Sequence, residues 1–188
     1  MVFKALRYRN FRIFFLGQSI SLTGTWMQYL AMSWLVYKMT NSVFMLGIVG
    51  FSSQIPAFIL SPFTGVIADR HNRHRILLLT QVLALAQALA LAILTITGNI
   101  QVWHIIIMGV FLGCVNALDI PARQSFILQM IEEKENLGNA IALNSMIFNV
   151  ARLVGPTVAG VLVAVAGEGA CFLVNALSYF ASIPGSNH

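Results

Sequence analysis

The chain has 188 residues, of which 58% are hydrophobic and only 9% are charged, with a mean hydropathy of +0.81. Soluble domains carry about 25% charged residues, and a chain this short has too few polar residues to cover the surface of a soluble fold. The composition therefore excludes an ordinary soluble domain and indicates an integral membrane protein. The net charge of +5 does not indicate a nucleic-acid partner, because the basic residues lie at the ends of apolar segments.

Six apolar segments follow one another along the chain. A membrane-spanning helix needs about 20 mostly apolar residues, and the segments show no period of two residues that would indicate strands. The sequence therefore predicts an all-α integral membrane protein, a bundle of six transmembrane helices that forms one domain over residues 1–188. The predicted helices are Phe11–Tyr37, Phe44–Ala68, Ile76–Thr97, Val102–Leu118, Gly138–Ala166 and a sixth from about Gly169.

The sixth segment is shorter than the others. Its apolar run ends at Ile183 and is followed by the polar residues Pro184–His188. The run of about fifteen residues is too short to span a bilayer upright. We therefore expect a truncated last helix, and a short, tilted or re-entrant helix is the alternative.

Basic residues alternate between the two ends of the predicted helices. Cytoplasmic loops of membrane proteins are enriched in Lys and Arg. Nine such residues lie at one end and only Lys38 lies at the other, which predicts a cytoplasmic N-terminus. The nine are Lys4, Arg7, Arg9, Arg12, Arg70, Arg73, Arg75, Arg123 and Lys134.

Two predicted helices carry polar residues at steps of three and four, which place them on one helical face. Because polar groups inside a membrane are costly, they are good functional candidates, and the two faces predict a water-accessible cavity. Hydrogen bonding between helices is the structural alternative. The residues are Gln18, Ser21, Thr25 and Gln28 in helix 1, and Ser145, Asn149, Arg152 and Pro156 in helix 5.

Two charged residues lie within or close to the predicted spans. Arg152 lies near the middle of helix 5, so its charge must face protein, water or a partner. It would bind an anionic group, tune a proton-carrying carboxylate or form a buried structural pair. Asp119 is expected near the inner surface, where Arg70 or Arg73 reaches it. If the segment Ala122–Met130 continues inside the membrane, Arg152 becomes the partner of Asp119 instead.

Small residues at four-residue spacing predict close contacts between helices. The sequence contains no phosphate-binding loop, no nucleophile elbow and no zinc-binding motif, so we predict no enzyme, no metal site and no cofactor. The small residues are Gly109 and Gly113 in helix 4, and Ala151, Gly155 and Ala159 in helix 5.

A charged segment between helices 2 and 3 has the spacing G-x-x-x-D-R-x-x-R, formed by Gly65, Asp69, Arg70 and Arg73. It resembles the motif between helices 2 and 3 of major facilitator superfamily transporters. Gly155, Pro156 and Gly160 in helix 5 resemble, in abbreviated form, the antiporter motif of exporters in that superfamily. The segments Leu6–Arg12 and Asp119–Gln124 resemble the branch that includes the enterobactin exporter and macrolide efflux proteins.

The resemblance implies that the chain is the N-terminal half of a twelve-helix transporter that works by alternating access. By motif position, Asp69 and Arg73 would form an inner latch, with Asp119 as a further partner. Because helices 1 and 4 line the cavity in this superfamily, Gln18, Thr25 and Asn116 become candidate cavity residues.

The resulting hypothesis is a proton-coupled exporter of small hydrophobic or amphipathic compounds, siderophore-like or drug-like, in the bacterial inner membrane. Its expected partners are the lipid bilayer, a small-molecule substrate, and either a C-terminal six-helix half or a second copy of the chain. Two alternatives stay open: a membrane remnant that transports nothing, and a half-transporter that must dimerise.

Overall fold

The computed structural model describes residues 9–70, 72–130 and 134–182, with side chains for residues 12–67, 72–128, 138–180 and 182. These residues form helices and no strand, which confirms the all-α prediction. The six helices are α1 (Arg9–Thr40), α2 (Val43–Arg70), α3 (Arg73–Ile96), α4 (Val102–Met130), α5 (Lys134–Ala166) and α6 (Glu168–Ser182).

The end of α4 differs most from its predicted position. The predicted helix stops at Leu118, whereas α4 continues for three more turns to Met130 with Pro121 inside it. The prediction was wrong because it used apolar residues alone. The first polar residue after Leu118, Asp119, faces the interior of the bundle and is only 3% exposed.

Four of the six helices are long and apolar enough to cross a membrane: α2 and α3, most of α4, and α5 from Gly138 onward. The helix α1 is long enough but carries many polar side chains, and several of these, such as Gln18, Ser21 and Gln28, are buried inside the bundle. The helix α6 has 15 residues. The six predicted helices are therefore present, and four of them meet the length and apolarity expected of a span.

The helices pack in a pattern that repeats after three helices. The helix α1 packs against α5 and α6, and in the corresponding way α4 packs against α2 and α3, while α3 and α6 contact each other. This arrangement matches two three-helix units of the kind found within halves of major facilitator transporters.

Glycines permit the closest of these contacts, as the four-residue spacing predicts. A Cβ atom at Gly113 of α4 would lie 2.5 Å from the Ser53 carbonyl oxygen of α2. A Cβ atom at Gly155 of α5 would lie 2.6 Å from Cβ of Trp26 in α1. Neither position can hold a side chain without movement of the neighbouring helix.

Two apolar clusters lie toward opposite ends of the bundle. Met32, Leu91, Ile105 and Phe172 belong to one cluster and are fully buried. Phe14, Leu77, Phe126 and Leu143 belong to the other. Along α1, α3 and α4, the polar residues described next lie between these clusters, so packed apolar layers bound the polar region on both sides.

A polar cavity between the helices

A cavity of about 490 Å³ lies between the two apolar clusters, and all six helices contribute to its wall. More than half of its lining residues are polar, in a chain that is 58% hydrophobic. The polar and aromatic lining residues are Ser21, Thr25, Trp26 and Tyr29 of α1, Ser53 and Gln54 of α2, Thr80 and Gln81 of α3, Asn116, Asp119, Arg123 and Gln124 of α4, Asn144, Ser145, Phe148 and Asn149 of α5, and Tyr179 of α6.

Asp119 and Arg123, one turn apart on α4, form an ion pair in the cavity wall. The Thr80 hydroxyl of α3 donates a hydrogen bond of 2.9 Å to Oδ1 of Asp119. With its amide oxygen turned toward α4, Gln18 of α1 accepts hydrogen bonds from the Arg123 guanidinium. These four residues, called the charged cluster below, join three helices through a buried charge pair.

Among the described residues, the partner of Asp119 is Arg123, whereas the sequence predicts a pair with Arg70 or Arg73, with Arg152 as the alternative. The sequence pattern places Arg123 in a loop because helix 4 is expected to end before it. Its place in the wall of the cavity removes Arg123 from the nine basic residues predicted at that end of the helices, which leaves eight. Basic residues therefore still outnumber the single Lys38 at the other end, and the predicted orientation is unchanged.

Neutral polar groups extend the cavity wall on either side of the charged cluster. Asn116 of α4 donates a hydrogen bond of 3.1 Å to the Tyr29 hydroxyl of α1. The hydroxyl groups of Thr25 in α1 and Tyr179 in α6 are 3.0 Å apart. Both predicted cavity residues on α1 and α4, Thr25 and Asn116, therefore border the cavity, whereas Gln18 lies behind Arg123.

On α5, Ser145 and Asn149 also line the cavity, and both are exposed in this chain. Arg152, one turn further along, is exposed as well, and its guanidinium carbon lies 5.6 Å from the centre of the Trp26 ring. Arg152 is not itself a lining residue. It lies at the rim of the cavity because it contacts Trp26, which lines the cavity together with Phe148. It has a cation–π contact there, not the ion pair with Asp119 that the sequence allows.

The remaining polar residue of the α1 face, Gln28, has a structural role. Its amide donates a hydrogen bond of 2.8 Å to Gln87 of α3 and accepts one of 2.8 Å from Asn175 of α6. The Gln87 amide in turn donates a hydrogen bond to the Met108 carbonyl oxygen, and the Ser178 hydroxyl donates one to the side-chain oxygen of Asn175. Gln28, Gln87, Asn175 and Ser178 are called the amide network below, and all of them are buried. Both interpretations of the polar face, cavity lining and interhelical bonding, are thus realised on the same helix.

The charged motif lies at the junction of α2 and α3. Gly65 is within α2, where a Cβ atom would have no neighbour within 4 Å, and Arg73 is the first residue of α3. Asn72 caps α3 by accepting hydrogen bonds from the backbone amides of His74 and Arg75. The side chains of Asp69 and Arg70 lie outside the described residues, so their predicted roles stay predictions.

The α5 motif divides into a packed part and an open part. Gly155 is buried against α1, and Pro156 follows it inside the helix. Gly160 is exposed, with nothing within 4 Å of the place of a Cβ. Of the two glycines in this motif, Gly155 is therefore required for helix packing and Gly160 is not.

Comparison with known proteins gives a consistent result. The sequence profile of the family described as "Transmembrane secretion effector" matches residues 2–185. The chain is similar to the staphyloferrin A transporter of Staphylococcus aureus, with 31% identity over 92% of the chain and 43% of that protein. It is also similar to macrolide efflux protein A of Streptococcus pyogenes, with 23% identity over 85% of the chain and 40% of that protein.

A third relative is a multidrug efflux pump of Mycolicibacterium fortuitum, with 22% identity over 85% of the chain and 40% of that protein. The chain spans about two-fifths of the length of these relatives. The family and these relatives are transporters and not enzymes, and the relatives are bacterial, which together with the apolar helices indicates a multi-pass bacterial membrane protein. The chain belongs to the transmembrane secretion effector family of major facilitator transporters.

Proposed function

We propose that the chain is the N-terminal half of a proton-coupled exporter of small hydrophobic or amphipathic compounds in the bacterial inner membrane. The observation that carries this proposal is the cavity of about 490 Å³, which places amide, hydroxyl and aromatic groups together inside a membrane bundle. Such a combination suits ligands with both apolar surface and hydrogen-bonding groups. The names of the relatives, a siderophore transporter and efflux proteins, support the same substrate range.

A second six-helix unit would complete the transport pathway. The relatives are more than twice as long as the matched segment, and α2 and α5 leave most of their apolar surface exposed. The cavity-lining residues Ser145 and Asn149 are exposed on α5. We therefore place the C-terminal half, or a second copy of the chain, over this side of the cavity, where rocking of the two units would give alternating access.

The charged cluster provides a site for proton coupling. Asp119 is the only carboxylate that lines the cavity among the described residues. When Asp119 takes up a proton, its ion pair with Arg123 is lost. An arrangement of the helices that is stabilised by this ion pair then becomes less favourable than an arrangement that does not depend on it. A proton would thereby shift the balance between two arrangements of the bundle.

The motif at the junction of α2 and α3 would act as a latch at the cytoplasmic side. Charge pairs at an aqueous surface contribute little stability, so a latch of Asp69 and Arg73 can open and close readily. In the full-length protein, Arg73→Ala should favour inward-open states, measured as faster labelling of cytoplasmic-side cysteines, whereas the neighbouring Arg75→Ala should not. Equal labelling of the two variants would contradict the latch.

Transport is tested with the product of the complete reading frame in everted membrane vesicles. At least one of two labelled compounds, staphyloferrin A or a macrolide, should accumulate when a proton gradient is present, and a protonophore should abolish its accumulation. The matched control is Asp119→Asn at equal membrane level. Accumulation that persists without a proton gradient would contradict proton coupling, and no accumulation of any compound would contradict transport.

The orientation has its own test. The exposed positions Arg75 and Asn99 lie near the N-terminal and C-terminal ends of α3. In a background with Cys114 and Cys171 replaced by serine, Arg75→Cys should react with an impermeant thiol reagent only in everted vesicles, and Asn99→Cys only in intact cells. The opposite pattern would place the N-terminus outside the cytoplasm.

A further inference from the structure

The formal charges around the cavity do not cancel. Asp119 and Arg123 neutralise each other, and no other charged residue lines the cavity among the described residues. Arg152 adds one positive charge at the rim, over the Trp26 ring. The described residues of the cavity and its rim therefore carry a net charge of one positive unit when Asp119 is ionised.

The guanidinium groups of Arg123 and Arg152 differ in their contacts and in their exposure. Arg123 contacts the Asp119 carboxylate and the Gln18 amide, and it is mostly buried. Arg152 is exposed, and its guanidinium carbon lies over the Trp26 ring. A guanidinium offers five N–H donors and binds a carboxylate through two of them.

Aromatic surface lies directly beside this charge. Trp26 contacts Arg152, packs edge-to-face on Phe148 and lies 5.8 Å from the Tyr29 ring centre. An aromatic ring that enters the cavity can contact these side chains while a carboxylate on the same ligand reaches Arg152. A ligand ammonium group would find no unpaired carboxylate among the described lining residues.

We propose that the cavity selects amphipathic carboxylates over organic cations, with Arg152 as the residue that determines this specificity. The proposal rests on the proposed transport function and narrows its substrate class. Charges interact strongly in surroundings of low dielectric constant, so we expect a preference of about tenfold or more for an anion over a cation of the same shape.

The test uses three probes that share one ring system and differ in charge: 2-naphthoate, 2-naphthamide and 2-naphthylmethylammonium. Their binding to the product of the complete reading frame in lipid nanodiscs is measured by isothermal titration, with empty nanodiscs as the blank. The expected order of affinity is naphthoate, then naphthamide, then the ammonium compound. Arg152→Gln should bring the naphthoate and ammonium affinities to within about threefold of each other.

Two matched variants separate the effect of Arg152 from a general loss of charge or fold. Arg152→Lys keeps the charge and should keep the preference for naphthoate. Arg75→Gln removes an exposed positive charge outside the cavity and should change nothing. A wild-type protein that binds the ammonium compound as tightly as naphthoate, or that binds none of the three probes, would overturn the proposal.

Binding and transport can fail independently. Selective naphthoate binding in a protein that moves no substrate in vesicles would support anion selection and overturn the transport function. Proton-dependent transport with tighter binding of the ammonium compound would support the transport function and overturn anion selection.

Discussion

The charged cluster and the amide network are two buried polar regions of the same bundle, and α1 contributes to both. Gln18 contacts Arg123 in the charged cluster, whereas Gln28, nearly three turns along the same face, bonds to Gln87 and Asn175. The charged cluster borders a cavity, and the amide network fills a packed interior. The helix α1 contributes a glutamine to both regions. The presence of a cavity beside one of them therefore determines which region can bind a ligand.

The two regions also differ in what a single substitution leaves behind. An amide that loses its partner is neutral and costs the free energy of one unsatisfied hydrogen-bonding group. A buried guanidinium that loses its carboxylate remains charged, and the loss of one member of a buried ion pair costs about 3–5 kcal/mol. Substitutions in the charged cluster should therefore have the larger effects, on both stability and transport.

Asp119→Asn should give the largest loss. It leaves the Arg123 guanidinium with Gln18 as its described acceptor, so we expect the free energy of unfolding to fall by about 3–5 kcal/mol, together with loss of proton-dependent transport. The measurements are unfolding by titration with a denaturing detergent and accumulation in everted vesicles.

The double variant Asp119→Asn with Arg123→Gln separates these two effects. With no charge left in the cluster, most of the stability should return because two neutral amides replace the ion pair. Transport should remain absent because no titrating group is left. A single Asp119→Asn variant with unchanged stability and normal transport would show that the charged cluster has neither role.

The helix contact beside the cavity should be the next most sensitive. In Gly155→Ala the new methyl group would meet Cβ of Trp26 and lie 2.9 Å from the Thr23 carbonyl oxygen. Overpacking of this kind costs about 1–3 kcal/mol, and movement of Trp26 should also weaken naphthoate binding. Gly160→Ala is the matched control because its methyl group meets nothing within 4 Å. Equal stability of the two variants would contradict the close approach of α1 and α5.

Gln28→Leu tests the amide network at similar side-chain volume. It removes the hydrogen bonds to Gln87 and from Asn175, and we expect a loss of about 1–2 kcal/mol in the free energy of unfolding, since hydrogen bonds between membrane helices contribute modestly. Ligand affinity and transport should change little in the fraction that remains folded. A large loss of affinity without a loss of stability would assign the amide network to the binding site.

Helical periodicity in the sequence is sufficient to find one wall of the cavity. Thr25, Ser145 and Asn149 follow steps of three and four residues, and all three line the cavity. The same steps of three and four relate Asn175, Ser178 and Ser182 on α6, so that helix carries a periodic signal as well. One sequence does not show which distant helices such a polar face pairs with, so the bond from Asn175 to Gln28 could not be predicted.

The misplacement of Arg123 has a different cause. Asp119 and Arg123 have the spacing of an ion pair on one helical face, but the polar run around Pro121 resembles the end of a helix. Proline inside a membrane helix is tolerated where neighbouring helices satisfy the freed backbone groups. The four-residue spacing of the two charges is therefore the better indicator of continued helix, and it predicts the ion pair directly.

Tyr179 lies where the two regions meet, and its substitution should have the smallest effect. Its ring packs with Ala84, Leu112 and Ala176 in the core, while its hydroxyl reaches the cavity and lies 3.0 Å from that of Thr25. Tyr179→Phe keeps the packing and removes one hydrogen bond, so we expect a loss of about 0.6 kcal/mol in the free energy of unfolding, measured by the same detergent titration.

Thr25→Val is the matched partner for a double-mutant cycle. It removes the same bond together with the bond from Thr25 to the Ser21 carbonyl, so its loss should be equal to or slightly larger than that of Tyr179→Phe. If the two hydroxyls bond to each other, the double variant should lose less than the sum of the single variants. If the losses of the two single variants add up to that of the double variant, each hydroxyl bonds elsewhere, for example to water in the cavity. The boundary between the two regions would then be more hydrated than the packing of Tyr179 implies.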